Sequence, residues 1–328
     1  MTEVIVSGIQ PTGPLHVGNY LGAIKHWKEL LAQGKTCYFF IADYHALTEN
    51  IEPKQLRQNI IALAAELIAA GVDPRQYKNL RLFVQSHVPE HVELNWIFNC
   101  LTPIAELERM TQFKDKASRQ KKNINAGLFT YPILQTADVL IYKGTAVPVG
   151  EDQVQHIELM RDAVRWFKKR FGADYFPEPK PLLTKAARVK SLLEPDKKMS
   201  KSLGDQHVLN LNDGPNELEK KLKRAVTATA GGKAPGVENL FLLLESFGSS
   251  VDVARFRAEQ KKDNIKYSEL KPAVAGALAS YFSAFRNDRA VLLEKPDQIA
   301  DLLAQGAREA QKVAQETMWE VREIIGLR

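Results

Sequence analysis

Short apolar runs and longer amphipathic ones take turns through the first half of the chain, and that order leaves few folds open. EVIVSGI (3–9), TCYFFIAD (36–43) and LRLFVQS (80–86) read as strands. Between them, VGNYLGAIKHWKELLAQG (17–34) reads as a helix closed by Gly34, and PKQLRQNIIALAAELIAAG (53–71) as one started by Pro53 and stopped by Gly71. The run at 36–43 is apolar on both faces, as a strand covered on both sides must be. A βαβαβ order calls for parallel strands joined by right-handed crossovers.

The pattern continues with an interruption. Residues 87–130 are mostly helical, include the charged KDKASRQKKN, and read as an insertion before the sheet resumes. LFTYPILQTADVLIYKG (128–144) predicts a helix with Pro132 near its first turn and Gly144 past its end. AVPVG (146–150) predicts a strand, and EDQVQHIELMRDAVRWFKKRFG (151–172) a long helix with acids at its positive end and bases at its negative end. FPEPKPLL (176–183) reads as a proline-rich connection, and beyond about 205 the patterns are helical. The expectation is an α/β protein: a Rossmann-like parallel sheet over 1–200 with the helical insertion at about 87–130, then a helical domain over 201–328 whose last helix packs back on the first domain.

Bulk properties narrow the class. No run approaches the ~18 uncharged apolar residues of a membrane span, and the opening MTEVIVSGIQ lacks the basic segment of a secretory signal. No membrane role is expected. The cysteines, Cys37 and Cys100, are too few for a four-ligand metal site, so no protein-bound metal is expected; both read as buried thiols of a cytoplasmic protein. A net charge of +6 favours a polyanionic partner.

Two stretches carry chemistry. After the first strand, SGIQPTGPLHVGNYLG (7–22) forms a turn in which Gly18 allows close backbone approach of a flat group. His16 and Asn19 there can hydrogen-bond a phosphate or ribose, and the first βα turn of a parallel sheet is a favoured ligand position. It fits neither Gly-x-Gly-x-x-Gly nor the P-loop. Far downstream, DKKMSKSLGD (196–205) gathers Lys197, Lys198 and Lys201 around Met199, Ser200 and Ser202 on a segment too polar for a core. A mobile loop of this kind can bring charge to phosphates as a reaction proceeds.

Together, His16-Val17-Gly18-Asn19 and Lys198-Met199-Ser200-Lys201-Ser202 resemble the two signatures of class I aminoacyl-tRNA synthetases. SGIQPTG, ADYHALT, ELERMTQFK, VPVGEDQ, QHIELMRD and YSELKPAVAGAL resemble the bacterial tryptophanyl-tRNA synthetase family along essentially the whole chain. The resemblance implies a ligase that activates L-tryptophan with ATP and Mg²⁺ to tryptophanyl-AMP and pyrophosphate, then passes tryptophan to tRNA(Trp). It implies a homodimer with the insertion at the interface (Trp96, Ile97 and Phe98 being apolar candidates) and an anticodon-binding role for 201–328, basic through ELEKKLKR (217–224) and AEQKKDNIK (258–266). Lys198, Lys201 and His16 take the catalytic positions. Gln10, Pro11, Thr12, Gly18, Asn19, Gly150, Glu151, Asp152 and Val189, with Lys198, Met199, Ser200, Lys201 and Ser202, take the ATP positions; Lys114 and Lys116 resemble further phosphate contacts.

For the amino acid, Tyr131, Gln135 and Asp138 fall at i, i+4 and i+7 on one helix face. In the tryptophan family the position of Asp138 accepts the indole N–H. Val147, Val149, Gln153, His45 and Val6 resemble further pocket lining. One departure stands out: bacterial tryptophan enzymes often carry Met where this chain has Gln135, and tyrosyl-tRNA synthetases use Gln in that frame. The alternatives are therefore a tyrosyl-tRNA synthetase and a non-catalytic synthetase-like RNA-binding protein. VPVGEDQ, SGIQPTG and Asn19 favour tryptophan, and the intact lysine loop favours an enzyme.

Overall fold

The computed structural model describes residues 3–111, 124–183, 188–227 and 234–328. Five parallel strands, β1 (Val4–Ile9), β2 (Thr36–Ile41), β3 (Leu80–Val84), β4 (Ala146–Val149) and β5 (Lys180–Leu183), form one sheet in the order β3-β2-β1-β4-β5. Ile5 pairs with Cys37 of β2 on one side and Ala146 of β4 on the other. The direction of strand addition therefore reverses at β1, and the crevice at the carboxyl ends of β1 and β4 is where such sheets take ligands.

β2, β3 and β4 are largely buried because both faces are covered. Trp27, on the Lys25–Ala32 helix, stacks on Phe39 of β2 with ring centroids 4.2 Å apart. A larger cluster, running from Phe40 and Phe83 to Ile133, Leu140, Ile157 and Phe167, takes the Ala126–Leu140 and Val154–Phe171 helices. The last helix, Pro296–Ile325, joins that cluster through Ala307, Ala310, Ala314 and Met318. Gly306 lets it lie against β3: a Cβ there would fall 2.1 Å from the carbonyl oxygen of Leu82.

The chain forms two compact units, Met1–Thr12 with His26–Thr184 and Lys295–Arg328, and Gly13–Lys25 with Lys185–Glu294. The single boundary near 200 expected from composition differs from the contacts at the turn after β1, which clusters with the later chain because backbone bonds tie it to residues 209–211. The final helix, expected to pack back on the first domain, clusters with the sheet, where its small residues permit close packing. The second unit is helical, with Pro215–Arg224, Pro235–Phe247, Ser250–Lys261, Tyr267–Tyr281 and Ser283–Leu293. Its aromatic cluster includes Tyr20, whose hydroxyl lies 2.8 Å from that of Tyr281, and Phe247 and Phe282.

Local departures from the sequence reading have local causes. The helix expected over 17–34 is Val17–Asn19, a π-helical turn at Tyr20–Ile24, then Lys25–Ala32. The wider turn rephases the apolar face, so that Tyr20, Leu21 and Ile24 within it and Trp27, Leu30 and Leu31 after it are all buried. Pro132 sits inside its helix, not in the first turn, because Asn125 caps the helix two residues earlier than the pattern indicates, accepting from the Leu128 N–H at 2.9 Å. The proline-rich connection contains β5. Among the described residues it pairs only with β4, and an edge strand can carry Pro181 without breaking a ladder on its open side. Cys37 is buried, and burial pushes its thiol up to about 12, but Cys100 is exposed. Of the three interface candidates Trp96 is exposed, whereas Ile97 and Phe98 belong to the core. No described helix is long and apolar enough to cross a membrane.

Candidate active site

In the first unit a cavity of about 230 Å³ is lined by Gly8, Gln10, Phe40, Ala42, His45, Tyr131, Gln135, Asp138 and Gln153. Gly8 and Gln10 come from the end of β1, Phe40 and Ala42 from the end of β2, and Gln153 from the 3₁₀ turn Glu151–Gln153 after β4. The three polar residues predicted to share a helix face do so, and they face this cavity. Phe40 can form its wall because Gly8 has no side chain: a Cβ there would fall 2.4 Å from the Phe40 ring.

Asp138, 1% exposed, is the electrostatic centre. Its Oδ1 accepts from Nε2 of Gln85 at 2.7 Å and from Nδ1 of His91 at 2.6 Å, and its Oδ2 accepts from Nε2 of His45 at 2.8 Å. Burial pushes the carboxyl up, but hydrogen bonds from His45 and His91 outweigh it and bring the pKa down to about 2. An ionised acceptor at Nδ1 makes His91 the donor there. Its other nitrogen, 2.7 Å from the Tyr142 hydroxyl, then accepts from that phenol, which burial holds well above its usual range. Three of the four acceptor positions of Asp138 are thereby used. The fourth, on Oδ2, remains for a donor in the cavity.

Tyr131 is held by its hydroxyl, 3.0 Å from Nε2 of His156. Val147 and Val149 are buried on β4, and Val6 on β1, within the core and outside the lining of this cavity. Gln85, His91, Tyr142 and His156 escaped the sequence reading. The signal for them was weak: polar residues scattered over four segments, His91 on the insertion and Tyr142 and His156 beyond it.

The first unit also holds Pro11, whose carbonyl accepts from Asn59 Nδ2 at 2.9 Å, and Thr12, exposed, whose N–H donates to the Gln10 carbonyl at 2.9 Å. After β4, Gly150 passes beneath Asp152: a Cβ there would fall 2.7 Å from an Asp152 oxygen. Glu151 and Asp152 are exposed at the amino end of the following turn and helix. Lys114 and Lys116 lie outside the described residues.

The second unit brings the two signature stretches together although they are about 180 positions apart. Leu15 accepts from the Leu211 N–H at 2.8 Å, the Val17 N–H donates to Leu209 at 2.9 Å, and His16 forms an antiparallel bridge with Asn210. Gly18 runs under the His16 ring and 3.8 Å from Met199 Cβ, measured from where its own Cβ would sit. The lysine loop is anchored on its amino side by a short hairpin: Met199 N–H donates to Val189 at 3.0 Å, Ser191 N–H to Lys197 at 3.0 Å, and Lys190 bridges Lys198. Met199 is buried and acts as the loop's plug, which leaves Lys198 exposed. Ser200 caps the 3₁₀ turn Lys201–Leu203 and shares a 2.9 Å hydrogen bond with Ser202.

Lys201 reaches back over the His16 turn, with Nζ 3.6 Å from the position a Cβ of Gly13 would take; Gly13 has φ +135°, so glycine suits it on two counts. Burial first, then the charges of Lys201 and Lys198, lower the His16 pKa to about 3. His16 is thus neutral near pH 7, and Asn19 fixes its backbone by accepting from the His16 N–H at 3.1 Å. A neutral imidazole beside two ammonium groups, on a glycine-lined turn, can receive an anionic ligand without itself adding a charge.

The family of class I tRNA synthetases (W and Y) matches residues 2–283. A tryptophan–tRNA ligase 2 from Streptomyces avermitilis is 41% identical over 98% of this chain and 96% of its own length. Among solved structures, a tryptophanyl-tRNA synthetase from Campylobacter jejuni, complexed with ADP and tryptophan, has a TM-score of 0.85 at 32% identity, covering 98% of this chain and 99% of that one. One from Mycoplasma pneumoniae has a TM-score of 0.87 at 32% identity, covering 100% and 99%.

Proposed function

We infer that this chain, which belongs to the class I tRNA synthetases of the tryptophan and tyrosine type, is a tryptophan–tRNA ligase. It activates L-tryptophan with ATP, releasing pyrophosphate, and transfers the tryptophanyl group to tRNA. The observation that carries the residue-level reading is Asp138, a buried anion with one acceptor position left beside His45 in a cavity walled by Phe40 and Ala42. An indole is flat, apolar and carries a single N–H donor, and an acceptor left unmatched in such a site is costly. Gln135 and Tyr131, on the same helix face, and Gln153 supply the polar groups for the α-amino end; His45 holds Asp138. Val147 and Val149 support the pocket from within the core.

Activation is attack by the tryptophan carboxylate on the α-phosphate of ATP. Nucleophile and leaving group are both anionic, so no proton transfer is needed and the task is positioning and charge stabilisation. We assign Lys198 and Lys201 to the departing pyrophosphate, with Met199, Ser200 and Ser202 shaping their loop, and neutral His16 to a hydrogen bond with the phosphates. Charge offered to the leaving group late in the step raises the rate without over-stabilising bound ATP. Gln10, Pro11, Thr12, Gly18, Asn19, Gly150, Glu151, Asp152 and Val189 are assigned to the rest of ATP. ATP enters as its Mg²⁺ complex, the ion riding on the phosphates as part of the substrate.

The helices between Pro215 and Leu293 are assigned to the anticodon end of the tRNA. Lys220, Lys223 and Arg224 are available to it; Lys221, counted in the basic run by sequence, is fully buried and ion-paired. A homodimer in the cytoplasm is the working assembly, and Leu47, Val92, Trp96 and Ile104, all exposed, are the apolar residues a second copy would cover. Amino-acid-dependent ATP–pyrophosphate exchange, run separately with each of the twenty amino acids, tests the assignment. Tryptophan alone should support exchange; activity with tyrosine alone would overturn it.

A further inference from the structure

The lysine loop ends at Gly204, with φ +109°, and the next residue is tied to a buried cation. Lys221, on the Pro215–Arg224 helix, is 0% exposed, and its ammonium lies 2.9 Å from Oδ2 of Asp205 and 2.9 Å from Oδ2 of Asp213. An ammonium taken wholly out of water requires such partners. Burial lowers the Lys221 pKa, but hydrogen bonds to Asp213 and Asp205 reverse that and raise it. Asn210 completes the knot: its Nδ2 donates to Oδ1 of Asp205 at 2.8 Å, and its backbone N–H donates to Oδ2 of Asp213 at 2.9 Å.

Asn210 is the residue bridged to His16, and its neighbours Leu209 and Leu211 bond Val17 and Leu15. One buried charge therefore holds the carboxyl foot of the lysine loop and the segment that carries the His16 turn. The two carboxylates are not equivalent. Asp213 is 11% exposed and serves Lys221 within the fold, whereas Asp205 is 61% exposed and could turn to water at little cost. Its contact with Lys221 does one further thing: it sets where the chain leaves the loop.

Resting on the reading above, we propose that Asp205 and Lys221 are positioning residues for amino-acid activation, clamping the carboxyl end of the lysine loop so that Lys201 stays over the Gly13–His16 turn. The amino side of the loop is already fixed by its hairpin and by buried Met199. Without the clamp the carboxyl side of the loop would rely on later anchors such as His207, whose carbonyl accepts from the Leu192 N–H at 3.2 Å and whose Nδ1 lies 2.9 Å from Ser191 Oγ; the free span grows, and displacements of order 1 Å cost up to about 10²-fold in rate.

Asp205→Asn is the informative variant, because Lys221 keeps Asp213 and the fold keeps its ion pair. In tryptophan-dependent exchange, kcat should fall roughly 10–100-fold, with KM for tryptophan unchanged and the thermal midpoint preserved; Asp205→Glu should recover part of the loss. Amide hydrogen exchange should quicken at 200–206 and stay as in wild type along Pro215–Arg224. Lys221→Met should show the same kcat loss, with added instability. An active wild type beside an Asp205→Asn variant with unaltered kcat would overturn this inference alone, as would a kcat loss that merely tracks the folded fraction. A wild type inactive in exchange with every amino acid would overturn the functional reading and this inference with it.

Discussion

Replacing Asp138 by Asn tests the proposed pocket at its centre. The amide keeps the shape and turns one accepting edge into a donor. If NH₂ takes the Oδ1 side it opposes two donors, Gln85 Nε2 and His91 Nδ1; on the Oδ2 side it opposes only His45 Nε2, which can move its proton to Nδ1 and accept. The second orientation wins, and it sets the amide N–H where the indole N–H should find an acceptor. A hydrogen bond to a charged group contributes about 1.5–3 kcal/mol, so kcat/KM for tryptophan should fall roughly 10–150-fold. The ring is remote from the reacting carboxylate, so ground and transition states lose the contact alike, and the change should appear as raised KM with kcat nearly intact. Stability should fall as well. The Asp138 pKa is lowered from 3.8 to about 2, mainly by His45 and His91 acting against burial. Its ionisation therefore adds on the order of 2 kcal/mol, fully present above pH ~4 and lost as pH falls towards ~2. Steady-state exchange at pH 7.5 with a thermal melt alongside decides the matter. A variant whose kcat/KM stays within about threefold of wild type, a change too small for a lost charged hydrogen bond, would refute the assignment of Asp138 to the indole.

Lys201→Ala should show the opposite kinetic pattern, kcat for adenylate formation down roughly 10²–10³-fold with KM for tryptophan little changed, because its charge is needed mainly as pyrophosphate leaves; single-turnover kinetics would detect it. His16, with its pKa lowered to about 3 by burial and the neighbouring lysines, binds no proton in the folded chain between pH ~6.5 and ~3 while the unfolded chain does. Its contribution to stability is therefore complete above pH ~6.5 and declines as pH falls through that window, and urea titrations of wild type and His16→Gln should diverge there. Gly306→Ala should destabilise the fold by about 1–3 kcal/mol or more, since the new methyl would meet the Leu82 carbonyl at 2.1 Å, and the fall in thermal midpoint measures it.

What the chain's own order of residues determined is everything that depends on spacing. Period-two and period-3.6 runs made the β1, β2, β3 and β4 strands and the helices between them recognisable, because burial selects apolar side chains at the positions that face a neighbour. Tyr131, Gln135 and Asp138 were legible as one helix face for the same reason, and His16–Asn19 and Lys198–Ser202 because short loops need particular residue types in sequence. What only the tertiary structure decided is pairing between distant elements. β5 hides among prolines because an edge strand needs few ladder bonds. Residues 13–25 cluster with 185–294 through backbone bonds to Leu209 and Leu211 that leave no mark in side-chain pattern. Gln85 and His91 surround Asp138, and Lys221 disappears beneath Asp205 and Asp213, although in sequence they look like ordinary polar residues of a solvated face. A polar side chain's partner is chosen by geometry across the fold, and the spacing of residues along one helix or strand carries no record of it.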